Sequence, residues 1–179
     1  MKKGIAILLV ALFCCGFVPQ HKASRQVASP KPISELYAEA IKAVTIHRDT
    51  INALCAIEAI FQQDSNYAPA LNLLSRLTRL PKNAIEYSER AYRADTTNRY
   101  YLEDYGRALV QGEEYRKAIP IFEKIVSRST EPDHYRILAI LLDAARRTTE
   151  ALAVLDTAEV RFGRITPLCR MRQYYLMKM

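Results

Sequence analysis

The sequence predicts an all-α protein, an α-α superhelix of about four helix-turn-helix repeats followed by an unpaired C-terminal helix. Three observations carry this expectation. Apolar residues recur at helical spacing, with Leu102, Tyr105 and Leu109 on one face and Ala118, Phe122 and Ile125 on another. Small residues that open a second helix return at Ala53, Ala84, Ala118 and Ala151, at intervals of 31, 34 and 33 residues, and self-similarity at that period indicates stacked helix pairs. Glycine is scarce: past residue 20 only Gly106, Gly112 and Gly163 remain, which leaves few tight strand-to-strand reversals.

Taken in order, the chain opens on MKKGIAILLVALFCCGFVPQ, two lysines before an apolar run and then polar residues, the layout of an export signal over residues 1–20. The run is shorter than the ~20 residues that span a bilayer, so cleavage is expected over a stable membrane helix. Cys14 and Cys15 resemble the lipid-acceptor cysteine of bacterial lipoproteins and are the lipidation candidates, although the small residue usual before that cysteine is absent. Residues 21–32, HKASRQVASPKP, are polar with two prolines and no periodicity, and read as a flexible tether.

Repeats are expected over 33–66, 67–98, 99–131 and 132–165, with a single helix over 166–179. The first matches the pattern well only in its second half, through Ala53, Ile57 and Ile60. The second carries Leu71, Leu74 and Ser75, then Ala84, Ser88 and Ala91, and lacks about three residues in its turn, where Pro81 is suited to open the second helix. The third is the clearest. A glycine inside a helix costs about 1 kcal/mol relative to alanine, so Gly106 implies a close approach of its helix to the next. In the fourth, Tyr135, Leu138, Ala139 and Leu142 precede Ala151, Leu155 and Ala158. Pro120 implies a helix that starts late or bends. The last stretch, PLCRMRQYYLMKM, sets Leu168, Met171 and Tyr175 on one face.

On these residues the chain resembles the tetratricopeptide repeat family, whose 34-residue unit is two antiparallel helices. The resemblance covers residues 34–179, although the family's closing proline is replaced at or near its place by Thr96, Thr130 and Gly163. It implies a concave groove lined by the first helices that holds a peptide or a partner domain. Carried over by position, the groove residues are Asn72, Arg76 and Arg79, then Tyr100, Glu103, Asp104 and Arg107, then Asp133, Arg136 and Ile140. Their arginines suit an extended peptide of acidic character through charge-assisted bonds, unless they pair with carboxylates of adjacent repeats. A clamp for a terminal carboxylate is not expected, because Asp104 stands where that clamp places asparagine.

Chemistry finds little support. The three histidines, His21, His47 and His134, form no metal-binding pattern beyond the local pair of His47 and Asp49, for which a helix-end contact is expected. Signatures for dinucleotide, nucleotide and serine-hydrolase chemistry are absent, so no catalytic residue, metal or cofactor is expected. Cys55 and Cys169 lie far apart and are expected as buried thiols. The formal charge of +7 is spread among acids rather than gathered into blocks, which does not favour nucleic acid as a partner. The expected role is a non-enzymatic interaction scaffold at the bacterial envelope, with membrane contact only through the leader or a lipid. The alternative is an N-terminal sensory or docking segment of a longer signalling protein or enzyme. The exposed last helix is expected to support oligomerisation.

Overall fold

The computed structural model describes residues 30–179; the leader with Cys14 and Cys15, and residues 21–29 with His21, lie outside the described residues. Nine α-helices are found among the described residues, and no strand. They are α1 (Ile33–Lys42, continued by a π-helical turn, Ala43–His47), α2 (Thr50–Gln63), α3 (Ala68–Leu77), α4 (Pro81–Ala94), α5 (Arg99–Gln111), α6 (Tyr115–Arg128), α7 (Pro132–Ala144), α8 (Thr148–Phe162) and α9 (Thr166–Lys178). Each packs on the next in the chain, least extensively where α2 meets α3. The result is a stack of antiparallel pairs, with α9 added to the last.

The joints between pairs repeat one device. Asp64, Asp95 and Ser129 each turn a side-chain oxygen onto the backbone N–H two residues on, of Asn66 at 2.9 Å, Thr97 at 3.0 Å and Glu131 at 2.9 Å. Such local bonds compete with helix continuation and end α2, α4 and α6 at matching places. After α8 the stop is Gly163, whose φ of +77° suits a residue without a Cβ. Side chains then restart two of the helices: Asp49 accepts from the Asn52 amide at 3.0 Å to cap α2, and Asn98 accepts from the Tyr100 amide at 3.0 Å to cap α5. Asp49 therefore acts as a cap on Asn52 rather than through His47.

Within the pairs, α5–α6 and α7–α8 turn through left-handed residues, Glu113 (φ 59°) and Arg146 (φ 62°). Backbone bonds five residues back close both turns, Glu114 N–H to Leu109 O at 2.9 Å and Arg147 N–H to Leu142 O at 2.8 Å. The α3–α4 turn is shorter: α3 stops at Leu77, and Pro81 opens α4 behind an extended Leu80.

Two apolar cores result. The larger joins Leu102, Leu109, Phe122 and Ile125 to Tyr135, Leu138, Leu142, Leu155, Leu168 and Tyr175, while the smaller holds Leu36, Ala40, Ile57, Ile60, Ala70 and Leu73. At Gly106 an added Cβ would meet Phe122 at 3.1 Å and Ile121 and Ile125 at 3.2 Å, so the close approach is to these larger side chains of α6.

Three expectations are corrected. Cys55 is exposed and Cys169 half-buried: Ala53, Ile57 and Ile60 define the inward face of α2, and Leu54 and Cys55, one and two positions past Ala53, turn away from it. Of the two readings of Pro120, the late start is excluded: α6 begins at Tyr115 and runs through the proline, which sits on the exposed side of the helix, where solvent can replace the lost bond. Lys31, in the segment read as tether, pairs with Glu39, and its carbonyl accepts from Gln63 at 3.0 Å.

Candidate functional site

The residues expected to line a groove lie on or beside the first helices α3, α5 and α7 of the pairs, and two cavities open between these helices. One, of about 210 Å³, lies between α3 and α5 and brings Arg76, Asp104 and Arg107 together with Ser75, Thr78 and Gln111. The other, of about 190 Å³, lies between α5 and α7 and brings Glu103, Arg107 and Asp133 together with Glu131 and His134 over Val110, Phe122, Ile125 and Ile137. Arg107 belongs to both.

Helical spacing sets the local pairing. Arg107 reaches Asp104 at 2.9 Å and Arg136 reaches Asp133 at 2.6 Å, both three residues apart on one helix, so these arginines pair within their own repeat rather than across repeats. Arg76 and Arg79 make no ion pair among the described residues. The one side-chain bond between first helices here joins Asn72 Nδ2 to Asp104 Oδ2 at 2.9 Å. It leaves Asn72 Oδ1 buried without a partner. Glu103 and Asp104 are only 18% and 14% exposed at their side chains, because their positions fall where adjacent first helices meet.

The remaining groove residues stand apart from both cavities. Arg79 sits on the α3–α4 turn rather than on a helix, since α3 ends two residues earlier. Tyr100 is 62% exposed, with the Arg99 guanidinium 5.0 Å over its ring. Ile140 is exposed on α7.

Sequence reasoning missed a tyrosine cluster at the α1 end. Tyr37 and Tyr67 meet edge to face with centroids 5.8 Å apart. Burial raises the Tyr37 phenol above its ordinary value, the neighbouring Tyr67 adds to this, and Arg76 opposes it. Tyr101 is raised likewise by burial first and then by Tyr37. The available signal was register: Tyr37 precedes Glu103 by two repeat lengths of 33 residues. His134 was also missed as a groove residue. It is buried at the head of α7 with Nδ1 2.7 Å from Ser129 Oγ.

No family model and no curated protein matches the sequence. Solved structures do. A crystal structure of MamA is 20% identical with a TM-score of 0.68 over 78% of this chain and 83% of that one. A MamA segment from Desulfovibrio magneticus RS-1 is 12% identical with a TM-score of 0.70 over 84% and 87%. A tetratricopeptide repeat protein from Parabacteroides merdae ATCC 43184 is 16% identical with a TM-score of 0.70 over 82% of this chain and 59% of that one. The chain therefore has a tetratricopeptide-type fold, an all-α superhelix of stacked helix pairs.

Proposed function

We propose that this protein is a non-enzymatic interaction scaffold whose groove holds an extended, acidic segment of a partner protein. The likeness to tetratricopeptide repeat structures supports protein interaction in general. The observation that carries the finer reading is the α3–α5 cavity. Arg76 is unpaired there among the described residues, and Arg107 has only a carboxylate of its own helix, so both guanidinium groups can take peptide carboxylates. Hydroxyl and amide groups of Ser75, Thr78 and Gln111 supply neutral contacts beside them.

The export-like leader places the scaffold at the bacterial envelope in this proposal, anchored by lipid if Cys14 or Cys15 is acylated. No helix among the described residues is long and apolar enough to cross a membrane. Self-association through α9 belongs to the same reading, since Tyr174, Leu176 and Met177 expose half or more of their surface. A mass that stays monomeric in light scattering up to high concentration refutes that part.

The groove is tested by immobilising the protein and an Arg76→Glu/Arg107→Glu variant of equal helical content, and recovering envelope proteins on both. Partners held by the wild type and lost by the variant support the groove. Identical recovery overturns it.

A further inference from the structure

Resting on the self-association reading above, we propose that copies of this chain join head to tail, α9 of one packing antiparallel on the outer face of α2 of the next, with Arg170 paired to Glu58. Both ends of the stack expose large apolar side chains. Ile51 and Leu54 are 76% and 41% exposed on α2, in the first pair, and Tyr174 and Met177 are 56% and 80% exposed on α9, beyond the last pair. Helical spacing sets each group on one stripe: Ile51, Leu54 and Glu58 turn away from the buried Ala53, Ile57 and Ile60, and Arg170, Tyr174 and Met177 turn away from the buried Leu168 and Tyr175. The stripes match when run in opposite directions. From its N-terminal side α9 steps four residues and then three, Arg170 to Tyr174 to Met177, and from its C-terminal side α2 steps four and then three, Glu58 to Leu54 to Ile51. Antiparallel packing that brings Arg170 to Glu58 therefore seats Tyr174 on Leu54 and Met177 on Ile51.

Charge selects this pairing over α9 packed on a second α9. α9 carries Arg170, Arg172 and Lys178 and no acid, whereas α2 carries Glu58 and no base. Arg172 is held by Asp156 at 2.5 Å and Lys178 by Asp143 at 2.7 Å. Arg170 and Glu58 are exposed and form no ion pair among the described residues, so each is free to meet the other across an interface. Two α9 helices face to face would set Arg170 against a helix without a carboxylate. The cations nearest the head of α2, His47 and Arg48, precede it at the Ile51 end of the stripe, away from Glu58. Because the two surfaces differ, the contact is heterologous: a pair of copies keeps one free α2 face and one free α9 face, and association continues past the dimer as concentration rises.

The test is analytical ultracentrifugation of the full chain over a range of concentrations, with Glu58→Arg and Arg170→Glu variants alone and mixed. The wild type is expected to form species larger than a dimer, and each variant alone to associate at least about tenfold more weakly, since it sets like charges against each other. An equal mixture of the two variants is expected to associate as the wild type does, because each copy then finds an opposite charge on both of its faces. Recovery in the mixture also shows that both variants are folded. Association weakened by Arg170→Glu but not by Glu58→Arg, a mixture that stays dissociated, or association that neither variant weakens overturns the α2 contact, and the first of these leaves self-association through α9 standing. A wild type that is monomeric at every concentration overturns both.

Discussion

The two cores differ although they follow one plan. The pairs α5–α6 and α7–α8 have helices of 13 to 15 residues, one shared turn geometry and a core rich in leucine and aromatic side chains. In α1–α3 the first helix ends in a π-helical turn, α3 has only 10 residues, and the core is six side chains, two of them alanines. Between them α4 presents Ala84, Ser88 and Ala91 to the interior; Ser88 is fully buried and satisfied by the Ala84 carbonyl at 2.7 Å. α4 packs closely on both α3 and α5, so the two cores are joined there through small side chains rather than large apolar ones. Because the stability of stacked repeats sums local terms, the α1 end, with the smaller core, is expected to be the weaker unit and α5–α8 the stronger one.

The largest expected effect comes from hollowing the stronger core. Phe122→Ala should cost about 3–5 kcal/mol, and Ile60→Ala in the smaller core about 2–5 kcal/mol. The sharper readout is regional. Native-state hydrogen exchange of the wild type should show α1–α3 exchanging before α5–α8; Phe122→Ala should narrow or reverse that order, and Ile60→Ala should widen it. Uniform protection along the wild-type chain would break the comparison. Next in size is overpacking: Gly106→Leu should cost roughly 1–3 kcal/mol by denaturant titration despite leucine's better helix propensity. The Cβ alone already stands 3.1–3.2 Å from three side chains of α6.

How far each half could be read from sequence follows the same division. The period through Ala118 and Ala151 and the glycine at Gly163 were legible because regular repeats put apolar and turn residues at fixed offsets. The α1 end was less so. A π-helical turn has no composition signal, and the exposure of Leu54 depends on a neighbour: Ile85, one residue past Ala84 as Leu54 is past Ala53, is covered by the end of α5 at Gly112, whereas α3 stops short. In the site, helical position gave the carboxylates and arginines, but not which of them pair within a helix. The position of His134 and Glu131 beside the α5–α7 cavity was hidden because it depends on the Ser129 turn, a contact between side chain and backbone that spacing does not reveal.

A smaller effect should separate α9 from the rest of its core. Asp143 accepts from Lys178 at 2.7 Å and from Thr148 at 2.7 Å, and these hydrogen bonds, Lys178 first, hold its carboxyl below the usual carboxylate range. A depressed carboxyl stabilises the fold at every pH above its unfolded value and loses that contribution as pH falls through its folded value. Acidification below about 4 should therefore loosen α9 before α7 or α8, and Asp143→Asn should remove most of this step. Exchange in α9 that is no more acid-sensitive than in α7 would sink the idea.

The smallest effect tests whether the regular half is free of strain. Glu113 and Arg146 hold left-handed backbone without being glycine, as does Arg48 after the π-helical turn. That conformation costs an L-residue about 1–2 kcal/mol, and glycine relieves it while losing some of the gain to the greater freedom of its unfolded chain. Glu113→Gly and Arg146→Gly should each raise stability by about 0.5–1 kcal/mol, because their turns are closed by backbone bonds that do not need the side chain. Arg48→Gly should gain less in global unfolding, since it relieves strain in the unit that opens first, and its benefit should show in the exchange of α1 and α2. If all three raise the global midpoint equally, the chain unfolds as one unit and the seam at α4 does not divide it.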